Sequence, residues 1–257
     1  GAAVVGAGVL SLSASGRCIA ETTDSGWDVW VAPYLWALSM SGDAAVGAER
    51  ADVDVPFKDV LKDLNFGLMA FVDARKERLG FFFNPILSRV GSEESHHGND
   101  IDITNDAAII AAGAYYRAVE TRLADDDGGT ARRFILEPYI GARWTYMRAK
   151  VDVKGVGEID ESVDWLDPII GVRTLVDLAP NWDFALGADI GGFGIGSDSS
   201  WNAQALFGYR FKMGDRDAIL RFGYRALYQD YATGSGPNRF AWDVTQHGPV
   251  LGLAVRF

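Results

Sequence analysis

The side chains with the most chemistry in this chain are charged ones that recur at every second position of otherwise apolar or small segments. Over 201–212, Trp201, Ala203, Ala205, Phe207, Tyr209 and Phe211 alternate with Asn202, Gln204, Gly208, Arg210 and Lys212. Over 218–229, Ala218, Leu220, Phe222, Tyr224 and Tyr228 alternate with Arg221, Gly223, Arg225 and Gln229. Over 182–191, Trp182, Phe184, Leu186, Ala188 and Ile190 alternate with Asp183, Gly187, Asp189 and Gly191. Period two is the signature of a strand with two unlike faces. The same register carried along the chain collects Asp73, Arg75, Glu137, Arg143, Asp167, Arg173, Asp183, Asp189, Arg210, Lys212, Arg221, Arg225 and Arg256 on the polar face. Acids gather in the early and middle segments and bases in the last three, although Arg75, Arg143 and Arg173 sit among the acids. In low dielectric such groups must pair or stay hydrated. Two chemistries are open to them. One is a salt-bridged filling that stiffens a closed interior. The other is a constriction of Glu137, Arg143, Asp167, Arg173, Asp189, Arg210, Arg221 and Arg225, where a transverse field selects small polar solutes.

Hydrolytic chemistry needs a nucleophile or an acid–base pair beside a histidine. The chain has three histidines. His96 and His97 lie beside Glu93, Glu94 and Asp100, and His247 falls on the apolar register of the last segment. His97 with Asp100 is a poor fit to such a site. Imidazole and carboxylate are suitable metal ligands, but the run 93–97 lacks a repeated ligand spacing, and a solvated acidic loop is the expectation. The glycine run 191–196 has no helix after it to receive a phosphate, so it reads as a strand end and tight turn. No catalytic residue, metal or cofactor is expected.

The elements that position the charges are strands. Ten fall at regular intervals, over 27–41, 66–75, 79–90, 103–122, 133–153, 162–178, 182–193, 199–212, 218–231 and 239–257, with turn signals between them. Connections at 76–78, 179–181 and 213–217 are short, whereas those at 91–102, 153–161 and 232–238 are longer and polar. Within 41–65, the piece 51–55 alternates. Phe57, Val60, Leu61 and Leu64 then follow at i, i+3, i+4 and i+7, one face of a short amphipathic helix. The helix is expected to plug or cap one mouth of the fold.

Alternation alone does not say which face is outside. The polar face mixes full charges with glycine and alanine, which suits a crowded, hydrated interior rather than a soluble exterior. The apolar face has aromatics towards both ends: Trp182, Phe211 and Phe257 near one set of turns, Trp201 and Tyr228 near the other. Interfacial aromatic girdles have this placement. No apolar run from 21 onward is long enough for a membrane helix, and closed barrels are the other way to satisfy every backbone group in lipid. The expected fold is therefore an all-β antiparallel transmembrane barrel of about ten strands, forming a single domain over 21–257. Residues 1–20 are small and apolar, and Cys18-Ile19-Ala20 resembles a signal-peptidase site, so 1–20 is expected to be the remnant of a secretory signal peptide. A net charge of -11 argues against nucleic acid as a partner.

The last segment, ending Leu251-Gly252-Leu253-Ala254-Val255-Arg256-Phe257, resembles the closing strand of Gram-negative outer-membrane β-barrels. The segments 27–36, 52–57 with 66–76, 165–171, 191–198, 223–225 and 243–249 resemble a poorly characterised family of such proteins. The resemblance implies an outer-membrane location and a C-terminus in the periplasm. It also implies that Phe257, Val255 and Leu253 form the signal read by the barrel-insertion machinery. With both ends in the periplasm the strand count is even, so 51–55 is a hairpin return rather than a barrel strand. Expected partners are outer-membrane lipid and lipopolysaccharide, with small polar solutes, or divalent cations at the outer loops. The leading functional expectation is a narrow pore or uptake barrel. The runner-up is a structural or interaction barrel with a closed lumen, and an outer-membrane hydrolase comes last.

Overall fold

A computed structural model describes residues 26–96, 99–123, 132–153 and 157–257. The segment 1–20, Cys18, His97 and the whole turn 124–131 therefore lie outside the described residues. The strands are β1 (Asp28–Trp36), β2 (Ser39–Val46), β3 (Glu49–Val55), β4 (Leu64–Lys76), β5 (Leu79–His96), β6 (Asn99–Tyr116), β7 (Val119–Leu123), β8 (Arg132–Val153), β9 (Gly157–Ala179), β10 (Trp182–Gly191), β11 (Ser199–Met213), β12 (Arg216–Thr233) and β13 (Phe240–Arg256). Ten of them form an antiparallel ring in the order β1-β4-β5-β6-β8-β9-β10-β11-β12-β13, closed by β13 on β1. The expected barrel of ten strands is what the chain forms, with β2, β3 and β7 added to it.

Two of the additions continue barrel strands after a jog. Both β1 and β2 pair with β13: Trp30–Trp36 run against Arg256–Val250, and Ser39–Val46 against His247–Phe240. At the jog between them Ala37 N–H donates to the Pro249 carbonyl at 2.8 Å. The Ala37 carbonyl occupies the place a Cβ on residue 248 would take, which is why Gly248 stands there. Similarly β7 extends the line of β6 along β8. The strand β3 pairs with β2 alone, so it is the expected hairpin return.

The barrel is apolar outside. Leu35 is 71% exposed and Ile140 65%, with Leu186, Ile190, Phe222 and Leu251 also on the surface, while Asp183 is 0% exposed and Arg143 1%. Water would not tolerate that inversion over a continuous belt, whereas lipid requires it. Trp201 and Phe211 on β11 lie ten residues apart, matching the roughly 9–11 residues of a membrane-crossing strand. This is the architecture of an outer-membrane barrel. The turns at 77–78, 180–181 and 214–215 lie at the end that carries Asp28 and Phe257, which is the periplasmic end by the usual asymmetry of turns.

At the opposite end the strands run on. The sequences 91–102 and 153–161, expected as loops, continue as paired strands up to His96, Asn99, Val153 and Gly157. Backbone pairing needs no apolar face, so these segments stay in the sheet after their hydrophobic alternation has ended. The helix α1 (Phe57–Lys62) is six residues long, about 9 Å. It is not a lumen plug. Phe57 and Leu64 are more than a third exposed, and neither they nor Val60 line the interior cavity. The helix joins β3 to β4 at the wall, where Phe57 N–H donates to Ser39 Oγ at 3.1 Å and Gly91 N–H to the Asp63 carbonyl at 2.9 Å. The side chain of Leu61 is not described.

Candidate functional site

The lumen has two halves of different character. The periplasmic half is a cavity of about 960 Å³. The eight residues read as one constriction divide around its ceiling. Glu137, Arg173, Arg210 and Arg221 line the cavity; Arg143, Asp189 and Arg225 form its top; Asp167 lies above, fully buried and outside the lining.

The expected separation of acids from bases does not survive folding, because the barrel is narrow enough for arginines to reach across it. Arg173 on β9 pairs with Asp73 on β4 at 2.8 Å and with Glu137 at 2.5 Å. Arg117, after β6, takes the other Glu137 oxygen at 2.8 Å. Arg210 pairs with Asp177 and Asp183, and Arg221 with Asp183. At the rim, Asp28 holds Arg75 at 2.6 Å and Arg256 at 2.7 Å. Lys212, at the same rim, pairs with Asp217 at 2.6 Å.

The ceiling is a connected network. Asp189 accepts from Arg143, from Tyr139 Oη at 2.9 Å and from Asn202 Nδ2 at 2.9 Å. Asn202 Oδ1 accepts from Arg225 Nε at 2.8 Å. Arg225 also reaches across the barrel to Asn84 Oδ1 at 3.1 Å and Tyr34 Oη at 3.2 Å, and its guanidinium lies 4.9 Å from the Trp36 ring centre.

Above the ceiling the lumen is filled. Trp36, Ile86, Ile109, Leu227 and Val250 pack into one cluster, with Tyr34, Leu38, Met69 and Leu206 against it. Higher still, Gln229 Nε2 on β12 donates across the lumen to Thr145 Oγ1 on β8 at 2.8 Å. Trp165 on β9 stacks on Tyr231 on β12 with ring centres 4.3 Å apart. The connection from β10 to β11 folds inward. Ser197 is fully buried, and its N–H donates to Asp167 Oδ1 at 2.7 Å. Positive φ at Gly192, Phe193 and Gly194 makes this reversal possible. The glycine run thus makes the turn expected of it, and that turn brings Ser197 onto Asp167.

Sequence reasoning missed the residues that fill the outer half. Leu227 sits between Arg225 and Gln229 on the inward face, and Tyr231, Trp165 and Trp36 share the inward parity. An apolar residue interrupting the polar face of a strand was the available signal.

The outer surface above the girdle is charged. Arg89 pairs with Asp106 at 2.6 Å, and Arg148 Nε donates to Asp160 at 2.7 Å. That hydrogen bond holds the Asp160 carboxyl below its ordinary range. On the far side Asp52, Asp43, Asp243 and Asp230 stand in register across β3, β2, β13 and β12. Burial, with Asp243 and Asp198 nearby, pushes the Asp230 carboxyl up. Among the described residues no group of three or more His, Cys, Asp or Glu is arranged to hold a metal ion. The side chains of Glu93, Glu94, His96 and Asp100 are not described. His247 faces outward on β13, where its Nδ1 meets Tyr224 Oη at 2.6 Å.

On β13, Leu251, Leu253 and Val255 alternate with the inward Gly252 and Ala254. Phe257 N–H donates to the Val29 carbonyl at 2.9 Å, and its ring lies 4.2 Å from the Arg216 guanidinium.

No protein-family model and no curated protein matches the chain. Among solved structures it is similar to Ail, the attachment invasion locus protein of Yersinia pestis, in complex with the heparin analogue sucrose octasulfate. That match has 14% identity and a TM-score of 0.39, covering 90% of this chain and 99% of that one. Neisserial surface protein A matches at 17% identity and a TM-score of 0.29, covering 91% and 98%. A Pseudomonas aeruginosa FadL homologue matches at 8% identity and a TM-score of 0.25, covering 90% and 89%. At these values neither a ligand nor a role passes from those proteins to this chain.

Proposed function

We propose that this protein is a sealed outer-membrane barrel that acts as a structural and interaction module, and that it is not a standing pore. One observation carries the reading: buried side chains from Arg143 and Arg225 through Leu227 and Gln229 to Trp165 stand above the cavity, with Arg225–Asn84, Gln229–Thr145 and Trp165–Tyr231 contacts reaching across the lumen. Ion pairing across the lumen favours the salt-bridged interior over a field that selects solutes. The strands β8 and β9, at 22 and 23 residues, are about twice the length a bilayer requires. They give the molecule a tall outer extension that meets the outer leaflet, where lipid and lipopolysaccharide are the proposed partners.

Planar-bilayer recording of the refolded protein tests the reading. A flat baseline is expected over the ordinary voltage range. A steady ohmic current from the wild-type chain overturns the sealed barrel and restores the narrow pore.

The assembly role of Phe257, Val255 and Leu253 belongs to the same proposal. Deleting Phe257 removes one closing hydrogen bond and the terminal ring, so it is expected to slow insertion into vesicles by the insertion machinery more than it destabilises the finished barrel. Unchanged insertion kinetics would remove that role.

A further inference from the structure

The periplasmic cavity has a sign opposite to that of the chain. The protein carries a net charge of -11, yet ten Arg and Lys side chains line this cavity against five Asp and Glu. Three further acids, Asp177, Asp183 and Glu120, stand outside the lining and pair with Arg210, Arg221 and Arg117. Counting them, the cations still outnumber the carboxylates.

The surplus is visible in how the carboxylates are shared. Asp28 serves Arg75 and Arg256, and Asp177 and Asp183 together serve Arg133, Arg210 and Arg221, whereas Arg117 and Arg173 share Glu137 and have Glu120 and Asp73 besides. A carboxylate divided between two guanidiniums neutralises one of them, and each guanidinium has five N–H donors to place. At the ceiling Arg225 is held by neutral acceptors, Asn202, Asn84 and Tyr34, with no carboxylate among its hydrogen-bond partners. Arg143 is buried, and its Nε has no hydrogen-bond partner. Low-dielectric walls around such a surplus focus the positive potential into the cavity instead of letting water dissipate it.

We propose that the periplasm-facing half of the lumen binds a small multivalent oxyanion, a phosphate ester or polycarboxylate with at least two acidic groups. Guanidinium forks match the planar or tetrahedral oxygens of such groups in pairs. The cavity, at about 960 Å³, is within the usual size range of small-molecule sites, roughly 300–1,000 Å³. Two acidic groups are required because the cations lie on opposite walls: Arg221 on β12 and Arg117 after β6, five strands apart in the ring of ten. Above them Phe82, Ile135 and Ile169 give the lining an apolar side for a carbon skeleton. The sealed ceiling makes this a dead-end site loaded from the periplasm.

Isothermal titration of the full chain, refolded in zwitterionic micelles, tests the proposal with three probes at constant ionic strength: pyrophosphate, citrate and chloride. Saturable binding of pyrophosphate or citrate is expected, and none of chloride. Whichever of the two binds more tightly identifies the phosphate or carboxylate class. Arg210→Gln with Arg221→Gln is expected to weaken binding at least about tenfold, the loss of one charge-assisted pair. Asp183→Asn frees the same two guanidiniums and is expected to tighten binding. It serves as the readout if the double variant does not fold, as judged by heat-modifiable gel mobility. Absence of saturable binding to both multivalent anions, chloride binding equally well, or an affinity untouched by Asp183→Asn overturns the proposal.

Discussion

The two halves of the lumen share one wall of ten strands and differ in what fills it. Below the ceiling, arginines line an open cavity, Arg221 lying over Gly208, and share carboxylates across the barrel. Above it, Trp36, Ile86, Ile109 and Leu227 have no charge to hydrate and pack together, as buried apolar groups do at interior density. A charged interior therefore stays open and an apolar one closes, even within one barrel of constant strand number. Alternation of polar and apolar faces along a strand predicts a barrel, but only the inward residue types, taken level by level, predict whether there is a path through it.

The largest expected effect comes from emptying the closed half. Leu227→Ala is expected to cost about 2–5 kcal/mol and Trp36→Ala about 3–5 kcal/mol, read as shifts in the urea midpoint of folding into lipid vesicles. Costs below about 1 kcal/mol would mean that the layer is not packed as described.

A matched pair of charge deletions compares the halves more finely. Arg143→Met strands the buried Asp189 and is expected to cost about 3–5 kcal/mol, with most of the loss recovered by adding Asp189→Asn. Arg75→Met removes a partly exposed rim guanidinium whose partner Asp28, also partly exposed, keeps Arg256, and about 1 kcal/mol is expected. Equal costs for the two would erase the distinction between ceiling and cavity.

The smallest effects lie outside the membrane and depend on pH. Asp230 has its folded pKa raised, so the folded chain holds that proton more tightly than the unfolded one. Its contribution is favourable at low pH and is lost as pH rises from the ordinary carboxylate value through the raised one. Asp160 has its folded pKa lowered, so its pairing with Arg148 stabilises above the ordinary carboxylate value and fades as pH falls below it. Asp230→Asn is expected to flatten the first trend and Asp160→Asn the second, each seen in midpoints measured across the acidic range.

Much of the wall was legible from the chain. The register of β13 follows from its terminal alternation, and the parity of the barrel placed 51–55 as a hairpin return, which the structure extends to 49–55. The outer ends of β5, β6 and β9 were not legible, because 91–96, 99–102 and 157–161 are dominated by charged and small residues and backbone pairing carries them on, whereas β8 was read to its observed end at Val153. The eight candidate charges all turned inward, but their partners were unreadable. Arg173 finds Asp73 a hundred positions away, across a lumen whose width is a property of the closed ring. The helical period held over 57–62 while Leu64, its expected fourth apolar member, begins β4, and periodicity gives an apolar face without saying which surface receives it.

Sided thiol labelling tests the two-half lumen most directly. Ala185 lines the periplasmic cavity, and Cys18 is the chain's single cysteine, so Ala185→Cys in a Cys18→Ser background carries one reporter. A charged, membrane-impermeant maleimide is expected to modify it in opened outer-membrane vesicles and to leave it unmodified in intact cells. Modification in intact cells at a comparable rate would show a path through the layer of Leu227, Gln229 and Trp165 and contradict the sealed barrel.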